Sequence, residues 1–348
     1  MKSIQQPILG ILSTIIVMAF SLIISTRYEP SIFGSWVTLM VMTIVPVQII
    51  MTLFMQNSIS NSIDTLTQPI NGIIRTIIMI IFGLIVFTII QLSFDGIGSQ
   101  PTPFSIMYCI NNVITTFWLV VVFAAWPFRL IPNKILAGIV LLASSMIISY
   151  FIFQFMYNFS DFVPAPFYND LLDPKGLFGA WDILSFVVTT LAVILAWVIL
   201  DFYPIGSEPE NPILRILTIS IPVLVITYLF WKVGINITGD TIIFMVNISI
   251  SLIFGEFIVL LMMETAPVQS MTQPTKGIIL ILIAIALAFA CNFIYTQVVV
   301  NLYPTITSGA PSYDIEMWKA STMLAITFPS FVLFSQIFNF WPFRNNSK

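Results

Sequence analysis

Thr67-Gln68-Pro69-Ile70-Asn71-Gly72-Ile73-Ile74 returns as Thr272-Gln273-Pro274-Thr275-Lys276-Gly277-Ile278-Ile279, 205 positions further along the chain, and Pro7-Ile8-Leu9 returns at the same offset as Pro212-Ile213-Leu214. In each copy proline stands at the start of a long apolar run. Proline fits the first turn of a helix, where its missing N–H has no acceptor to lose, so each stretch predicts a helix start. Pro7-x-x-Gly10, Pro69-x-x-Gly72, Pro212-x-x-Arg215 and Pro274-x-x-Gly277 thus open four runs, and Asn133 to Gly138 opens a fifth less closely. A recurrence at fixed spacing marks two halves built from one unit.

The runs are long enough to be membrane spans. A hydrocarbon layer of about 30 Å needs roughly 20 apolar residues as helix. Ten candidates occur, at roughly 7–26, 34–56, 70–93, 105–125, 133–156, 181–202, 213–233, 241–263, 276–300 and 316–340. Only 8% of the 348 residues are charged and 58% are hydrophobic, with a mean hydropathy of +1.02. A soluble domain carries about 25% charged residues, which excludes that class. The expected fold is all-α and polytopic, with about ten transmembrane helices arranged as five hairpin-like repeats in a 4+2+4 order with parallel duplication. The units are 1–132, a middle hairpin 133–210 with a long loop, and 211–348. The first run, although preceded by Lys2, is retained as a span rather than a signal peptide, because its copy at Pro212 belongs to the fold.

The hairpins close alike. Trp126-Pro127-Phe128-Arg129 and Trp341-Pro342-Phe343-Arg344 end the second and fifth. An aromatic ring beside a proline and an arginine suits an interfacial anchor. Eight of the 12 Lys and Arg residues (Lys2, Arg75, Arg129, Lys134, Arg215, Lys276, Arg344 and Lys348) fall on the side bearing both termini. The positive-inside rule makes that side cytoplasmic and the expected location the cell (plasma) membrane. On the other side, the loop Tyr157 to Ala180 is expected to be a lid over the bundle mouth, a partner surface, or a loop stiffened by Pro164, Pro166 and Pro174.

Composition also narrows the chemistry. The chain has no histidine, and its two cysteines, Cys109 and Cys291, lie in apolar runs. Haem, copper and zinc sites that rely on imidazole have no ligands, and no cofactor or metal is expected. No phosphate-binding glycine loop or nucleophile elbow occurs, and the net charge of -3 is scattered, so neither an enzyme nor a nucleic-acid partner is expected.

The candidate functional residues are the polar ones that the hydrocarbon should exclude. A charge at a span's centre costs at least about 2.5–3.5 kcal/mol. Glu256 stands well inside the eighth span with Ser249 two turns before it, a candidate proton or cation site. Asn111, Asn112, Thr115 and Thr116 in the fourth span, Asp182 in the sixth and Gln48 in the second are candidate solute contacts. Pro46, beside Gln48, is expected to break its helix. These features point to a multi-pass transporter or permease for a small solute, proton- or cation-coupled through Glu256, with alternating access between the four-helix units. The alternative is a non-catalytic membrane-embedded subunit or scaffold of a larger complex. Candidate partners are the lipid bilayer, a small solute, and membrane or soluble partner subunits.

Overall fold

The computed structural model describes residues 4–56, 59, 61–206 and 211–344. Lys2 and Lys348 lie outside them. Among the described residues, ten helices are long and apolar enough to cross a membrane. We label them α1 (Ile8–Ser25), α2 (Pro30–Phe54), α3 (Ile70–Asp95), α4 (Pro103–Val122), α5 (Lys134–Met156), α6 (Ala180–Ile199), α7 (Pro212–Thr238), α8 (Thr241–Met262), α9 (Thr275–Leu302) and α10 (Asp314–Ile337). α2 is interrupted at Thr43–Ile44, just before Pro46, as the proline requires. α7 and α9 extend beyond the expected ends at 233 and 300, so Asn236-Ile237-Thr238 falls in the last turn of α7.

Burial separates the helices into two sets. Between 61% and 78% of each even-numbered helix is buried in the bundle, against 22% to 44% of each odd-numbered one. The even helices form a closed inner ring in chain order, α2 packing on α4, α4 on α6, α6 on α8, α8 on α10 and α10 back on α2. Phe117 of α4 meets Phe257 of α8 and Phe328 of α10 across that ring, with centroids 6.2 and 6.4 Å away, and the last two stack at 4.2 Å. Aromatic side chains therefore fill the inside at this level. The odd helices lie in the outer grooves: α1 on α8 and α10, α3 on α10 and α2, α5 on α2 and α4, α7 on α4 and α6, α9 on α6 and α8.

The Gln-Pro starts explain how the outer helices are seated. Proline opens each helix, and the preceding glutamine does two jobs. Its Oε1 accepts from the N–H of the glycine, at 3.0 Å from Gly10, 3.1 Å from Gly72 and 3.0 Å from Gly277. Its Nε2 donates to a carbonyl at the end of an inner helix: Gln6 to Met262 at 2.9 Å, Gln68 to Ile337 at 2.8 Å and Gln273 to Ile199 at 3.0 Å. Each bond satisfies one orphan donor and one orphan acceptor that two helix ends would otherwise leave unpaired. The glycine is needed for closeness, since a Cβ on Gly10 would sit 2.4 Å from the Met262 carbonyl oxygen. At α7 arginine replaces the glycine, and Arg215 donates to the carbonyls of Val121 and Val122 at the end of α4, its guanidinium 5.3 Å above the Phe202 ring.

The inner helices end alike on this face. α2, α4, α8 and α10 finish in a π-helical turn, and left-handed residues follow: Gln56, Ala124–Ala125, Glu264–Thr265 and Asn339–Phe340. The N–H groups of Ala125, Thr265 and Phe340 each donate to the carbonyl six residues back, which closes the helix and turns the chain outward. On the opposite face the loop from 157 to 179 is tied by Asp173, whose carboxylate accepts from Phe159 N, Lys175 N and the Tyr168 hydroxyl. A two-residue parallel pairing of β1 (Tyr157–Asn158) with β2 (Phe178–Gly179) closes it.

Candidate functional site

A cavity of about 570 Å³ lies among α4, α5, α6 and α7, with Phe178 of the tied loop in its lining. Three of the candidate solute contacts come together on its wall: Asn111, Thr115 and Asp182. Most of the remaining wall is aliphatic or aromatic, including Trp118, Phe186, Tyr228 and Trp231. Asn111 and Thr115 share a face of α4 by their i, i+4 spacing and meet Ser149 of α5. The Asn111 Nδ2 donates to the Ser149 carbonyl and to its Oγ, both at 3.0 Å, and the Thr115 and Ser149 hydroxyls are 3.2 Å apart. Asp182 stands at the exposed end, where it accepts from the Thr241 hydroxyl at 3.0 Å.

The other candidates on α4 and α2 lie elsewhere. Asn112 is fully buried, with neither amide atom hydrogen-bonded among the described residues, and Thr116 donates to the Asn112 carbonyl at 2.8 Å. Gln48 is buried against α10, its Nε2 3.3 Å from the carbonyl oxygen of Pro329. That carbonyl also accepts from the Leu333 N–H within α10, so Gln48 brings it a second donor.

Glu256 and Ser249 both face α6, about two turns apart. Glu256 lines a second cavity of about 170 Å³ on the outer side of the ring, bounded by α6, α7, α8 and α9, and its Oε2 has no partner among the described residues. Gly255 beside it permits this packing, because a Cβ there would fall 1.9 Å from the Ala284 carbonyl oxygen of α9. Ser249 instead bonds across the ring wall to Thr189 of α6, hydroxyl to hydroxyl at 2.8 Å. Ser249 lies in the π-helical stretch Met245–Ile250, and Glu256 in the α-helical stretch Ser251–Phe257 that follows it. Glu256 and the larger cavity are thus built on different walls of α6.

The hairpin-end motifs differ from one another. Arg344 forms a double bond of charge to Glu264, at 2.6 and 2.9 Å, and lies 4.9 Å over the Phe340 ring. Its guanidinium therefore joins the ends of α8 and α10. Trp341 is 41% exposed, Pro342 and Phe343 are exposed, and in the other motif Pro127 and Arg129 are exposed while Trp126 and Phe128 are half-buried. These rings sit where an interfacial belt would.

Ser149, which bonds both Asn111 and Thr115, is the candidate that the sequence reading missed. Its signal was the i, i+4 pair Ser145 and Ser149 in an otherwise apolar helix, both fully buried. A further buried group lies on the opposite side of the ring, where the Lys319 ammonium donates to the Asn247 side chain and Glu316 accepts from the Ser308 hydroxyl and Gly309 N–H. Among the described residues no cluster of metal-ligating side chains occurs, and both cysteines are buried thiols.

No protein-family model, curated protein or solved structure matches the chain. Ten helices among the described residues long and apolar enough to cross a membrane mark a multi-pass membrane protein.

Proposed function

We propose that the chain is a permease that carries a small solute across the cell membrane. The observation that carries this reading is the 570 Å³ cavity, largely apolar and furnished at one wall with Asn111 and Thr115, which Ser149 holds from behind. Cavities of this size with a few convergent polar groups are where small ligands bind. Alternating access is the proposed mechanism, and the cavity walls support it, since α4 belongs to the unit 1–132, α5 and α6 to the middle hairpin, and α7 to the unit 211–348. Glu256 is proposed as the proton or cation site, on the strength of its burial and its unpaired oxygen.

The proposal includes the origin and orientation of the bundle. The common bond pair made by Gln6, Gln68 and Gln273 supports a duplicated hairpin unit, repeated about an axis along the ring. The cations Arg75, Arg129, Lys134, Arg215, Lys276 and Arg344 at one end support cytoplasmic termini. A second reading, a non-catalytic subunit that docks partners, is favoured by one observation: the exposed aromatics Tyr203, Trp341 and Phe343 at the hairpin ends.

Proteoliposomes loaded with a panel of labelled solutes, with and without a proton gradient, test the permease. Gradient-driven uptake of at least one solute is expected, lost in Glu256→Gln and in Leu224→Trp, which fills the cavity. Uptake unchanged in Glu256→Gln removes the coupling role. No uptake of any solute, together with co-purification of a stoichiometric soluble partner, favours the subunit.

A further inference from the structure

The cavity's polar wall has unused hydrogen-bonding capacity of a defined kind. The Asn111 amide nitrogen is spent on Ser149, whose backbone carbonyl can only accept, and this fixes which side of the amide faces it. Asn111 Oδ1 then remains an acceptor with no donor among the described residues, on a buried residue that lines the cavity. The Thr115 and Ser149 hydroxyls share one hydrogen bond, so one of their two O–H groups is left to donate. One acceptor and one donor, side by side, complement a group that both donates and accepts.

Depth and access restrict the ligand further. Asn111 and Thr115 flank the middle of the 20-residue α4, where a charged headgroup costs at least about 2.5–3.5 kcal/mol. The walls above and below are apolar, and Ile148, Leu224 and Tyr228, which line the cavity, are also exposed on the outer surface of the bundle. The cavity therefore opens sideways between α5 and α7, toward the hydrocarbon.

We propose that this cavity binds an uncharged single-chain amphiphile, of the class of long-chain alcohols, which enters laterally from the membrane. Its hydroxyl donates to Asn111 Oδ1 and accepts from the Thr115–Ser149 pair, while its chain lies along the aliphatic wall toward Phe123. The inference rests on the permease reading, for which it names the class of solute.

The test uses the full chain in phosphatidylcholine vesicles and a hexadecanol carrying a diazirine and an alkyne, with the labelled peptides located by mass spectrometry after irradiation. Labelling is expected on α4 to α7, competed by plain hexadecanol but not by equal amounts of hexadecanoate or hexadecyltrimethylammonium. Asn111→Leu should lower labelling roughly tenfold, the factor that corresponds to about 1.4 kcal/mol. Leu224→Trp, at a 43% exposed position, should lower it as well without touching the polar wall. Equal labelling in the wild type and Asn111→Leu, competition by the charged amphiphiles, or label spread evenly over all outer helices each overturns the proposal. The solute-uptake assay separates the two readings: site-specific labelling without uptake leaves the site and removes the permease, whereas uptake without labelling leaves the permease and removes the site.

Discussion

The side-chain nitrogen of Gln68 lies 2.8 Å from the backbone oxygen of Ile337, 269 residues away. The same amide, through Oε1, holds the Gly72 N–H at 3.1 Å, so one side chain closes the first turn of α3 and the last turn of α10 together. Gln68→Ala leaves a donor and an acceptor unpaired at a helix junction, each worth about 1–3 kcal/mol where water is excluded. The variant should therefore unfold in detergent at a clearly lower temperature than the wild type. A melting curve that superimposes on the wild type would show that water replaces both bonds.

Gly255 should tolerate nothing larger. Its missing Cβ is what lets α8 touch the α9 backbone at Ala284, and relief would require the two helices to part. Gly255→Leu is expected to yield no monodisperse protein. Gly34→Ala, at a site with open space, is the matched control and should behave as the wild type. Size-exclusion profiles of the two distinguish a local packing demand from a general intolerance.

Tyr313 and Asp240 form a pH-sensitive clasp between the starts of α10 and α8. The Tyr313 hydroxyl donates to Asp240 Oδ2 at 2.6 Å, while Oδ1 caps α8 through Ile242 N and Ile243 N. The hydrogen bond to this carboxylate, with some desolvation, pushes the phenol up to about 12. Because the folded value exceeds the unfolded value of about 10, the clasp is fully formed below pH 10 and is lost as pH rises toward 12. The difference between wild-type and Tyr313→Phe tyrosinate absorbance should show one phenol titrating near 12, and Asp240→Asn should bring it down.

The orientation can be read with single cysteines. The native Cys109 and Cys291 are buried, so background labelling should be slight. Leu171, 92% exposed in the tied loop, and Leu130, 69% exposed between α4 and α5, lie on opposite faces. In intact cells a membrane-impermeant maleimide should modify Leu171→Cys and should reach Leu130→Cys only after permeabilisation. The reverse pattern would place the termini outside.

Much of the fold was legible, because spans depend on local composition. Ten apolar runs, the break before Pro46 and the proline helix starts follow from single stretches of chain. Even the inner set was foreshadowed, since Asn111, Asn112, Thr189 and Ser249 all fell on even-numbered spans. The partners across helices were not legible. Gln-Pro-x-x-Gly marks a helix start, but which distant carbonyl the glutamine reaches depends on how the outer helix seats in its groove. Ser249 and Glu256 were placed together by helical spacing and both face α6, but that Ser249 would bond Thr189 while Glu256 met only apolar side chains depends on the partner helix. Ser149 went unnoticed because a serine in a span is commonly just bonded to its own helix, as Ser145 is to the Leu142 carbonyl.

The groove order carries a consequence for biosynthesis. α1 is made well before α8 and α10, the inner helices that form its seat. Until α8 is made Gln6 has no Met262 carbonyl to hold, and until α10 arrives the groove has only one wall. A chain truncated before α10 would leave α1 half-seated in the lipid.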